Sequence, residues 1–486
     1  MTNAEHEHEW KCMRVKIFRH LIKVVACVIL LSAVPCFAQN NVSARIDRYI
    51  KTEMTRQKIP GISLAVLRNG KIEILKSYGL SNVELNVPVK PETIFQSGSI
   101  GKQFTAASVM LLVEEGKISL DEKITKYFAP APEAWQNITV RHLLTHTSGM
   151  GDYPADFDMR RDFTEDDLLA IIKKTPLNFA PGAAWDYSNL GYATLGLLIH
   201  KVSGKFHGDF LRERIFKPLE MTTARVISEA DIVPNRAAGY RLEAGELKNQ
   251  EWVSPSVNST ADGALYFSIL DLAKWDAALY PDKLFKQSSL NEMWSPVKLS
   301  GGATKDYGFG WHTIKIGSRR VMHHGGAWQG FKSYITRFPD DNLTIIFLAN
   351  SWETRDMKLA RGLAAVFYPE FTLPKNEPIE DKEPKTTSLV RRVLLQLSRG
   401  KADTELFTSE AKAMIFPERA KKMGELLESL SLPIAVIYTN ELVERREENG
   451  KRVYSYLLND MTRSLFCTIK LTKDDKVSDL QLKQIN

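Results

Sequence analysis

The sequence predicts an α/β (α+β) fold in which one antiparallel sheet, flanked by helices, is interrupted by an inserted, mainly helical subdomain. Strand patterns occur at 62–78 and return at 311–350, whereas the segments from 121 to 300 are mostly helices and loops. Strands at both ends with helices between them favour one shared sheet. A further region with three-to-four-residue helical periodicity, followed by strands, predicts a small α+β domain at the C-terminus.

The first 38 residues have the composition of a secretory signal peptide. Five bases precede the apolar run 24–34, and small residues at 36 and 38 predict cleavage after Ala38. This run is short for a membrane span, so we expect a periplasmic or secreted mature chain without one. An uncleaved N-terminal anchor is the less favoured alternative. The sequence leaves open whether translation starts at Met1 or Met13.

Cysteine and charge exclude several classes of protein. Cys467 is the one cysteine that follows the signal peptide, so the mature chain has no internal disulfide. The net charge falls from +7 to +5 when the five bases and three acids of the leader are removed. The remaining bases are scattered, which does not indicate a nucleic-acid-binding surface. The fold is therefore held together by its apolar core.

Local patterns predict the elements of the main domain, residues 39–372. Asn69-Gly70 is a strong two-residue hairpin signal between two strand-like runs. The predicted helices are 44–57, a helix that opens at Ser99 and ends at Gly116, and one from about 354 to 367. The predicted strands are Ile62–Arg68, Lys71–Tyr78, Trp311–Ile316, Arg319–His323, Phe331–Phe338 and Leu343–Asn350.

Residues 373–388 are rich in proline and charge and lack apolar periodicity, which predicts a linker. Beyond it, 389–430 reads as helical and 434–485 as strand-rich, with a hairpin turn at Asn449-Gly450. We therefore expect a small α+β accessory domain over 389–486.

Two pairs of polar residues are candidates for chemistry. Ser99 and Lys102 lie three residues apart at the start of a predicted helix, so their side chains share a face. The same spacing recurs at 295–298 and 398–401, so the spacing alone is not decisive. Tyr187 and Asn189 lie in a loop ahead of the predicted helix 190–202, and this pattern also recurs, at 438–440. Only the surrounding sequence can therefore distinguish a functional pair from a chance occurrence of the same spacing.

The third candidate segment is His324-Gly325-Gly326, on or beside a returning strand, where glycines let a ligand approach the backbone. His323 and His324 are adjacent on that strand, so at most one of them faces a cleft, and the glycines select His324. A zinc site is not indicated, because His142 and His146 have the spacing of ligands but no accompanying glutamate or third ligand.

The order of the three segments along the chain resembles that of the penicillin-recognising serine hydrolases, the serine β-lactamase and penicillin-binding protein superfamily. Within it, the chain is similar to class C β-lactamases, D-alanyl-D-alanine peptidases and their esterase relatives. The likeness covers about 42–368 and includes "PGISLAVLRNGK", "LLTHTSGM", "DGALYFSILDLAKW" and "YGFGW". It implies a β-lactamase/transpeptidase-like fold and an enzyme without a cofactor or metal.

The resemblance also implies roles for single residues. Ser99 would be the nucleophile that forms an acyl-enzyme, and Lys102 and Tyr187 would take its proton. The backbone N–H groups of Ser99 and Ala327 would form the oxyanion hole. The remaining residues implied to bind substrate are Asn189, His324, Gly325, Gly326 and Ala327.

The third segment departs from the class C β-lactamases, which carry lysine where this chain has His324. A histidine with an ordinary pKa is mostly neutral at pH 7 and gains charge towards pH 6. Gly325 also replaces a hydroxyl residue, which removes one donor to a substrate carboxylate. We therefore expect hydrolysis of an ester or a D-amino-acid amide.

Three alternatives stay open at this point. The chain could be a true β-lactamase, a D-alanyl-D-alanine carboxypeptidase, or an acylated or peptidoglycan-binding protein without turnover. In each case the partner is a small molecule or a short peptide. The sequence does not determine the oligomeric state.

Overall fold

The computed structural model describes residues 42–280, 283–316, 318–373, 378–428, 441–461 and 463–485. The predicted signal peptide, 1–38, lies outside these ranges, as do 374–377 of the predicted linker and the first residues of the last strand-rich region. Among the residues described, no helix combines the length and the apolar character needed to cross a bilayer.

The strands are numbered along the chain. They are β1 (Gly61–Arg68), β2 (Lys71–Asn82), β3 (Val87–Pro88), β4 (Ile94–Gln96), β5 (Arg225–Val226), β6 (Tyr240–Glu243), β7 (Glu246–Asn249), β8 (Leu265–Ser268), β9 (Val297–Lys298), β10 (Thr304–Lys305), β11 (His312–Ile316), β12 (Arg319–Trp328), β13 (Phe331–Phe338), β14 (Leu343–Ala349), β15 (Glu441–Glu448), β16 (Lys451–Asn459), β17 (Ser464–Leu471) and β18 (Val477–Ile485).

The helices follow the same rule, and a short 3₁₀ helix, Gly98–Ile100, precedes α2. They are α1 (42–57), α2 (Gly101–Glu114), α3 (Val140–Leu144), α4 (Glu165–Lys174), α5 (Asn189–Ser203), α6 (His207–Leu211), α7 (Ile269–Ala278), α8 (Gln287–Trp294), α9 (Asp356–Ala364), α10 (Pro384–Ser398), α11 (Ser409–Ile415) and α12 (Glu418–Glu428).

The main sheet joins strands from both ends of the main domain. Its order is β11-β12-β13-β14-β1-β2-β3, and neighbouring strands are antiparallel. The junction is the pairing of β1 with β14, from Ile62 opposite Ala349 to Arg68 opposite Leu343. The predicted antiparallel sheet with a helical insertion is therefore confirmed.

Helix α2 lies inside the insertion rather than on its surface. Of its 14 residues, 12 are buried, including the polar Lys102, Gln103 and Ser108. Phe104 of α2 packs on Trp275 of α7 with ring centroids 4.4 Å apart. Because this core surrounds α2, the serine at its start is held between the sheet and the insertion.

Strand β12 is longer than predicted. The sequence predicts a strand that stops at His323, but β12 continues through the glycine pair to Trp328. Strand β11 ends its pairing at the His312–His323 contact, so within the described sheet Gly325–Trp328 pair with β13 alone. A glycine in a strand often marks a place where another backbone approaches closely. Here the segment before α2 packs directly onto Gly326.

The C-terminal domain has its own core and a four-stranded sheet of order β15-β16-β17-β18. Its first helix, α10, begins at Pro384, so the last five residues of the predicted linker are helical. Proline suits the first turn of a helix, since its missing N–H has no partner there in any case. Thr386 and Thr387 are buried, which ties this first turn to the domain. The limits of the linker and of the accessory domain otherwise stay a prediction.

Candidate active site

Ser99 lies in the 3₁₀ helix between β4 and α2, in a segment squeezed between two backbones. A Cβ added to Gly98, which has φ +50°, would lie 2.2 Å from Ala327 N of β12. On the opposite side, a Cβ added to Gly263 would lie 3.1 Å from Ser99 N. Both positions require glycine because no side chain fits. These contacts fix the backbone of Ser99 while its side chain stays partly accessible.

Lys102 is one helical turn beyond Ser99 and has no exposure to solvent. Its Nζ donates to Ser99 Oγ at 3.2 Å, to Asn189 Oδ1 at 2.7 Å and to the carbonyl of Asp262. These three acceptors match the three donors of an ammonium group, which is how a buried cation is stabilised. Lys102 Nζ also lies 4.8 Å from the centre of the Tyr187 ring.

Tyr187 and Asn189 are positioned by the start of α5. Ser188 caps this helix, since its side chain accepts from Gly191 N at 2.8 Å. Asn189 is then the first helical residue and turns its amide towards Lys102, while Tyr187 precedes the cap and is half-buried. The structure thus brings together Ser99, Lys102, Tyr187 and Asn189, which the sequence analysis selected from segments far apart in the chain.

The backbone groups predicted to form an oxyanion hole are also neighbours. A Cβ added to Gly326 would lie 3.0 Å from Ser99 N and 2.0 Å from Ser97 O. The same side of β12 places Ala327 N against Gly98. Ser99 N and Ala327 N therefore both lie at the contact between the 3₁₀ helix and β12, and their role as an oxyanion hole stays a prediction.

Gly325 does not face this site. A Cβ added there would lie 3.0 Å from Asp356 Oδ2 and 3.0 Å from the ring of Tyr334. Since side chains alternate along a strand, Gly325 points to the opposite face from Gly326. The inference that Gly325 removes a donor to substrate is therefore wrong, because a hydroxyl side chain at this position would point towards Asp356.

His324 is buried and joined to Tyr307. Its Nδ1 lies 2.7 Å from the carbonyl of Gly325, and its Nε2 lies 3.0 Å from the hydroxyl of Tyr307. Burial, with a smaller contribution from nearby Lys102, lowers the pKa of His324 to about 3. The expectation that His324 gains charge towards pH 6 is therefore wrong, since the ring stays neutral over that range.

His146 completes a hydrogen-bonded row that the sequence analysis missed. Its Nδ1 accepts from Ser188 N at 3.0 Å, so the proton of the neutral ring is on Nε2, 3.1 Å from the Tyr307 hydroxyl. Tyr307 can then donate to His324 Nε2 and His324 Nδ1 to Gly325 O, which assigns both tautomers from the network. The His146 ring also packs on Tyr187 at 4.3 Å. The signal was its presence in "LLTHTSGM", a stretch that carried the resemblance.

The histidine pair considered for zinc has another role. Helix α3 ends at Leu144, so His142 and His146 do not share a helical face, and His142 Nδ1 accepts from Thr139 N at 3.2 Å in a capping box. In the described ranges, no group of three or more His, Cys, Asp or Glu side chains is placed to hold a metal ion.

Two carboxylates near the lysine were not among the predicted site residues, although Asp262 opens the stretch "DGALYFSILDLAKW" that carried the resemblance. Asp152 Oδ1 accepts from Asn189 Nδ2 at 3.0 Å. Asp262 offers its carbonyl to Lys102, and burial raises the pKa of its carboxyl group while Lys102 opposes that shift. Both residues follow loops whose path depends on tertiary packing, so their proximity to Ser99 cannot be seen in the chain order.

A serine hydroxyl that accepts a hydrogen bond from a buried lysine is typical of serine hydrolases that form acyl-enzymes. The family model described as Beta-lactamase matches residues 46–367. The chain belongs to this family, as the resemblance implies.

The chain is also similar to individual proteins of known name or structure. Penicillin-binding protein 4* of Bacillus subtilis (strain 168) is 29% identical over 73% of this chain and 82% of that protein. D-aminopeptidase of Gluconobacter oxydans (strain 621H) is 27% identical over 66% of this chain and 62% of that protein. The octameric penicillin-binding protein homologue from Pyrococcus abyssi has a TM-score of 0.61 and 23% identity, covering 90% of this chain and 99% of that one. This last likeness shows the shared fold.

Proposed function

We propose that the chain is a secreted serine hydrolase that forms an acyl-enzyme on Ser99 from an ester or a D-amino-acid amide. The hydrogen bond from Lys102 Nζ to Ser99 Oγ carries this proposal, because the lysine is fully buried and reaches the nucleophile at 3.2 Å. A lysine that only solubilised the helix would lie on its exposed face.

The reaction follows from the positions of these groups. Ser99 Oγ attacks the carbonyl carbon as its proton passes to the Lys102–Tyr187 pair, and the backbone N–H groups of Ser99 and Ala327 stabilise the oxyanion. The intermediate collapses when the leaving alcohol or amine takes up that proton. Water then adds to the ester, loses a proton to the same pair, and releases the acid with Ser99 restored.

The neutral third segment supports the choice of substrate class. A substrate carboxylate beside His324 meets a neutral imidazole whose two nitrogens already have partners. A substrate whose acyl group has no carboxylate next to the reacting bond therefore gives up no electrostatic stabilisation at His324. The similarity to a D-aminopeptidase supports D-amino-acid amides as one such class.

A labelling experiment tests the nucleophile. A serine-directed fluorophosphonate should attach once to the wild-type chain, and Ser99→Ala should abolish both labelling and hydrolysis. Ser295→Ala and Ser398→Ala are matched controls, since each removes the serine of an equally spaced Ser-x-x-Lys, and both should label normally. Intact-mass spectrometry measures the adduct, and an undiminished adduct on Ser99→Ala would contradict the proposal.

Turnover of four substrates separates the remaining alternatives. The proposal expects a short-chain aryl ester or a D-amino-acid amide to be hydrolysed with a higher kcat/KM than a chromogenic cephalosporin or a D-Ala-D-Ala peptide. A preference for the cephalosporin would identify a β-lactamase, and for the D-Ala-D-Ala peptide a carboxypeptidase. A stable acyl adduct without product release would identify a binding protein.

Secretion rests on the first 38 residues alone. Their charged start, short apolar run and small residues at the predicted cleavage site support export. The N-terminus of the mature protein, read by mass spectrometry from the periplasmic or culture fraction, should be Gln39. A chain retained with residues 1–38 would support the anchor instead.

A further inference from the structure

Asp152 ends a row of hydrogen bonds that begins at the nucleophile. Lys102 Nζ donates to Ser99 Oγ at 3.2 Å and to Asn189 Oδ1 at 2.7 Å, and Asn189 Nδ2 donates to Asp152 Oδ1 at 3.0 Å. A carboxylate therefore reaches the lysine through one intervening amide.

The orientation of the Asn189 amide depends on this row. The oxygen and nitrogen ends of an amide have nearly the same shape, so their partners decide which end faces which group. The ammonium of Lys102 needs an acceptor and the carboxylate of Asp152 needs a donor, and one orientation satisfies both. In the opposite orientation, the Asn189 amide nitrogen would face the Lys102 ammonium, donor against donor, and its oxygen would face the Asp152 carboxylate, acceptor against acceptor.

The loop that carries Asp152 is itself fixed. Ser188 Oγ, the cap of α5, donates to the carbonyl of Gly151 at 2.8 Å. Tyr153 N donates to Asp152 Oδ1 at 2.8 Å, which holds the carboxylate in one rotamer. The same helix start therefore positions both Asn189 and the residue that orients it.

We propose that Asp152 is a positioning residue for acylation: it fixes the Asn189 amide against Lys102 and places a negative charge close to the group that takes the Ser99 proton. This inference rests on the proposed role of Ser99. A negative charge near a general base makes loss of its proton harder. Removing the charge should therefore move the acid limb of the rate profile to lower pH.

The effect of Asp152 on the pH dependence has to be compared with that of the other titratable groups around Lys102. The rings of Tyr187 and Tyr192 lie 4.8 and 5.6 Å from its Nζ, and His146 and His324 are held neutral by burial, which lowers the pKa of each. The carboxyl group of Asp262 also interacts electrostatically with Lys102. Asp152 is itself exposed to solvent, which screens part of its charge, so its effect on the lysine depends on their short separation through the Asn189 amide.

The test measures the rate at which a fluorophosphonate labels Ser99 between pH 5 and 9. Asp152→Asn should lower the plateau rate about tenfold and shift the acid limb down by roughly half to one pH unit. Asp152→Glu restores the charge and should return the acid limb of the rate profile part of the way to its wild-type pH. Asp156→Asn removes an exposed carboxylate from the same loop and should change neither quantity. The thermal unfolding midpoint of each variant checks that it is folded.

The outcomes separate the two proposals. If wild type labels normally, Ser99→Ala does not, and Asp152→Asn keeps the acid limb of wild type, then Asp152 does not position the base and the inference fails. A lowered plateau without any shift, unrescued by Asp152→Glu, also overturns it, since that result describes a structural role alone. Absence of labelling on wild type would instead refute the proposed function.

Discussion

Lys102 connects most of the candidate site at the scale of single residues. Taking an ammonium group out of water is costly unless its donors are satisfied, and here each of its three hydrogen-bond acceptors is uncharged. The Tyr187 and Tyr192 rings add cation–π contacts. Because these partners come from three separate segments, the lysine is held in place before any substrate binds.

Lys102 and Tyr187 should behave as one unit. Lys102→Ala and Tyr187→Phe should each lower kcat/KM by about 10²- to 10⁴-fold, and the double variant should lose little more, because members of one proton relay are not additive. Tyr187→Phe keeps the ring that packs on His146 and removes only the hydroxyl. Steady-state kinetics on an aryl ester measures the losses.

The matched control is Tyr192→Phe. Its ring is also near Lys102, but its hydroxyl donates to the carbonyl of Leu144 at 2.8 Å. This variant should lose some stability, by about 1 kcal/mol, and keep most of its activity. Strictly additive losses in the Lys102–Tyr187 pair would show that the two residues act independently.

His324 should make substrate preference independent of pH. With a pKa of about 3 the imidazole is neutral from pH 6 to 8. The ratio of kcat/KM for a carboxylated substrate to that for a neutral ester should therefore stay constant over this range. His324→Lys adds a charge-assisted hydrogen bond worth about 1.5–3 kcal/mol, so this ratio should rise. A wild-type ratio that increases towards pH 6 would show that His324 is protonated there.

At this scale, chain order predicted which residues meet but not how they point. Ser99, Lys102, Tyr187 and Asn189 were found because their segments follow one another in the order of the family that the chain resembles, since the local spacings alone also recur at 295–298, 398–401 and 438–440. The face of Gly325 was missed because its strand was predicted to stop two residues earlier. Asp152 was missed because its contact with Asn189 joins a loop to the start of a helix 37 residues further along the chain.

At the scale of elements, the close contact between β12 and the 3₁₀ helix determines the geometry of the site. Ser333 Oγ of β13 donates to the carbonyl of Ser97, and Ser97 Oγ donates to the carbonyl of Gly263 at 2.8 Å. The segment before α2 is thus tied to the sheet on one side and to the insertion on the other. The glycines at 98, 263 and 326 permit this approach.

Gly326→Ala should disrupt this contact. Its Cβ would lie 2.0 Å from Ser97 O and 2.4 Å from Ser333 Oγ, so the backbone beside Ser99 must move. We expect a loss of about 1–3 kcal/mol of stability, as for other overpacked sites, and slower labelling of Ser99. Gly301→Ala is the control, because an added Cβ there meets nothing within 4 Å. Unchanged labelling of Gly326→Ala would show that this contact does not position the nucleophile.

Elements with local signals were predicted well. Asn69 and Gly70 both adopt positive φ, 52° and 70°, as a two-residue hairpin requires, and Asn449-Gly450 does the same between β15 and β16. The extension of β12 and the early start of α10 were not predicted. Both depend on tertiary packing, which covers a glycine pair in one case and buries two threonines in the other.

At the scale of the whole molecule, the C-terminal domain meets α9 through polar groups. Lys358 Nζ donates to Glu441 Oε1 at 2.6 Å, and Arg355 also pairs with that carboxylate. Arg361 Nη1 donates to the carbonyls of Asp460 and Arg463 at 3.1 and 2.9 Å. Interfaces of this kind resemble transient contacts between proteins more than a shared core.

A cavity of about 1180 Å³ lies between the same two parts of the molecule. Trp185 and Tyr307 line it from the main domain, and Arg399 and Lys421 from the C-terminal domain. Since Trp185 lies two residues before Tyr187, this wall borders the candidate active site. Loss of the C-terminal domain would remove one wall of this cavity, which is already partly open to solvent, without removing a residue of the proposed catalytic group.

A chain that ends at Thr372 should therefore fold and keep Ser99 reactive. Truncation exposes the cations of α9 to water, where they are well solvated, and the main sheet keeps its own apolar core. We expect a lower unfolding midpoint, normal fluorophosphonate labelling and an altered preference among longer substrates. A chain that ends at Asn350 is the control: it lacks α9, which packs on β13 and β14, and should be insoluble because apolar strand surface is exposed. If both truncated chains are insoluble and unlabelled, the two domains share a core and the linker does not separate them.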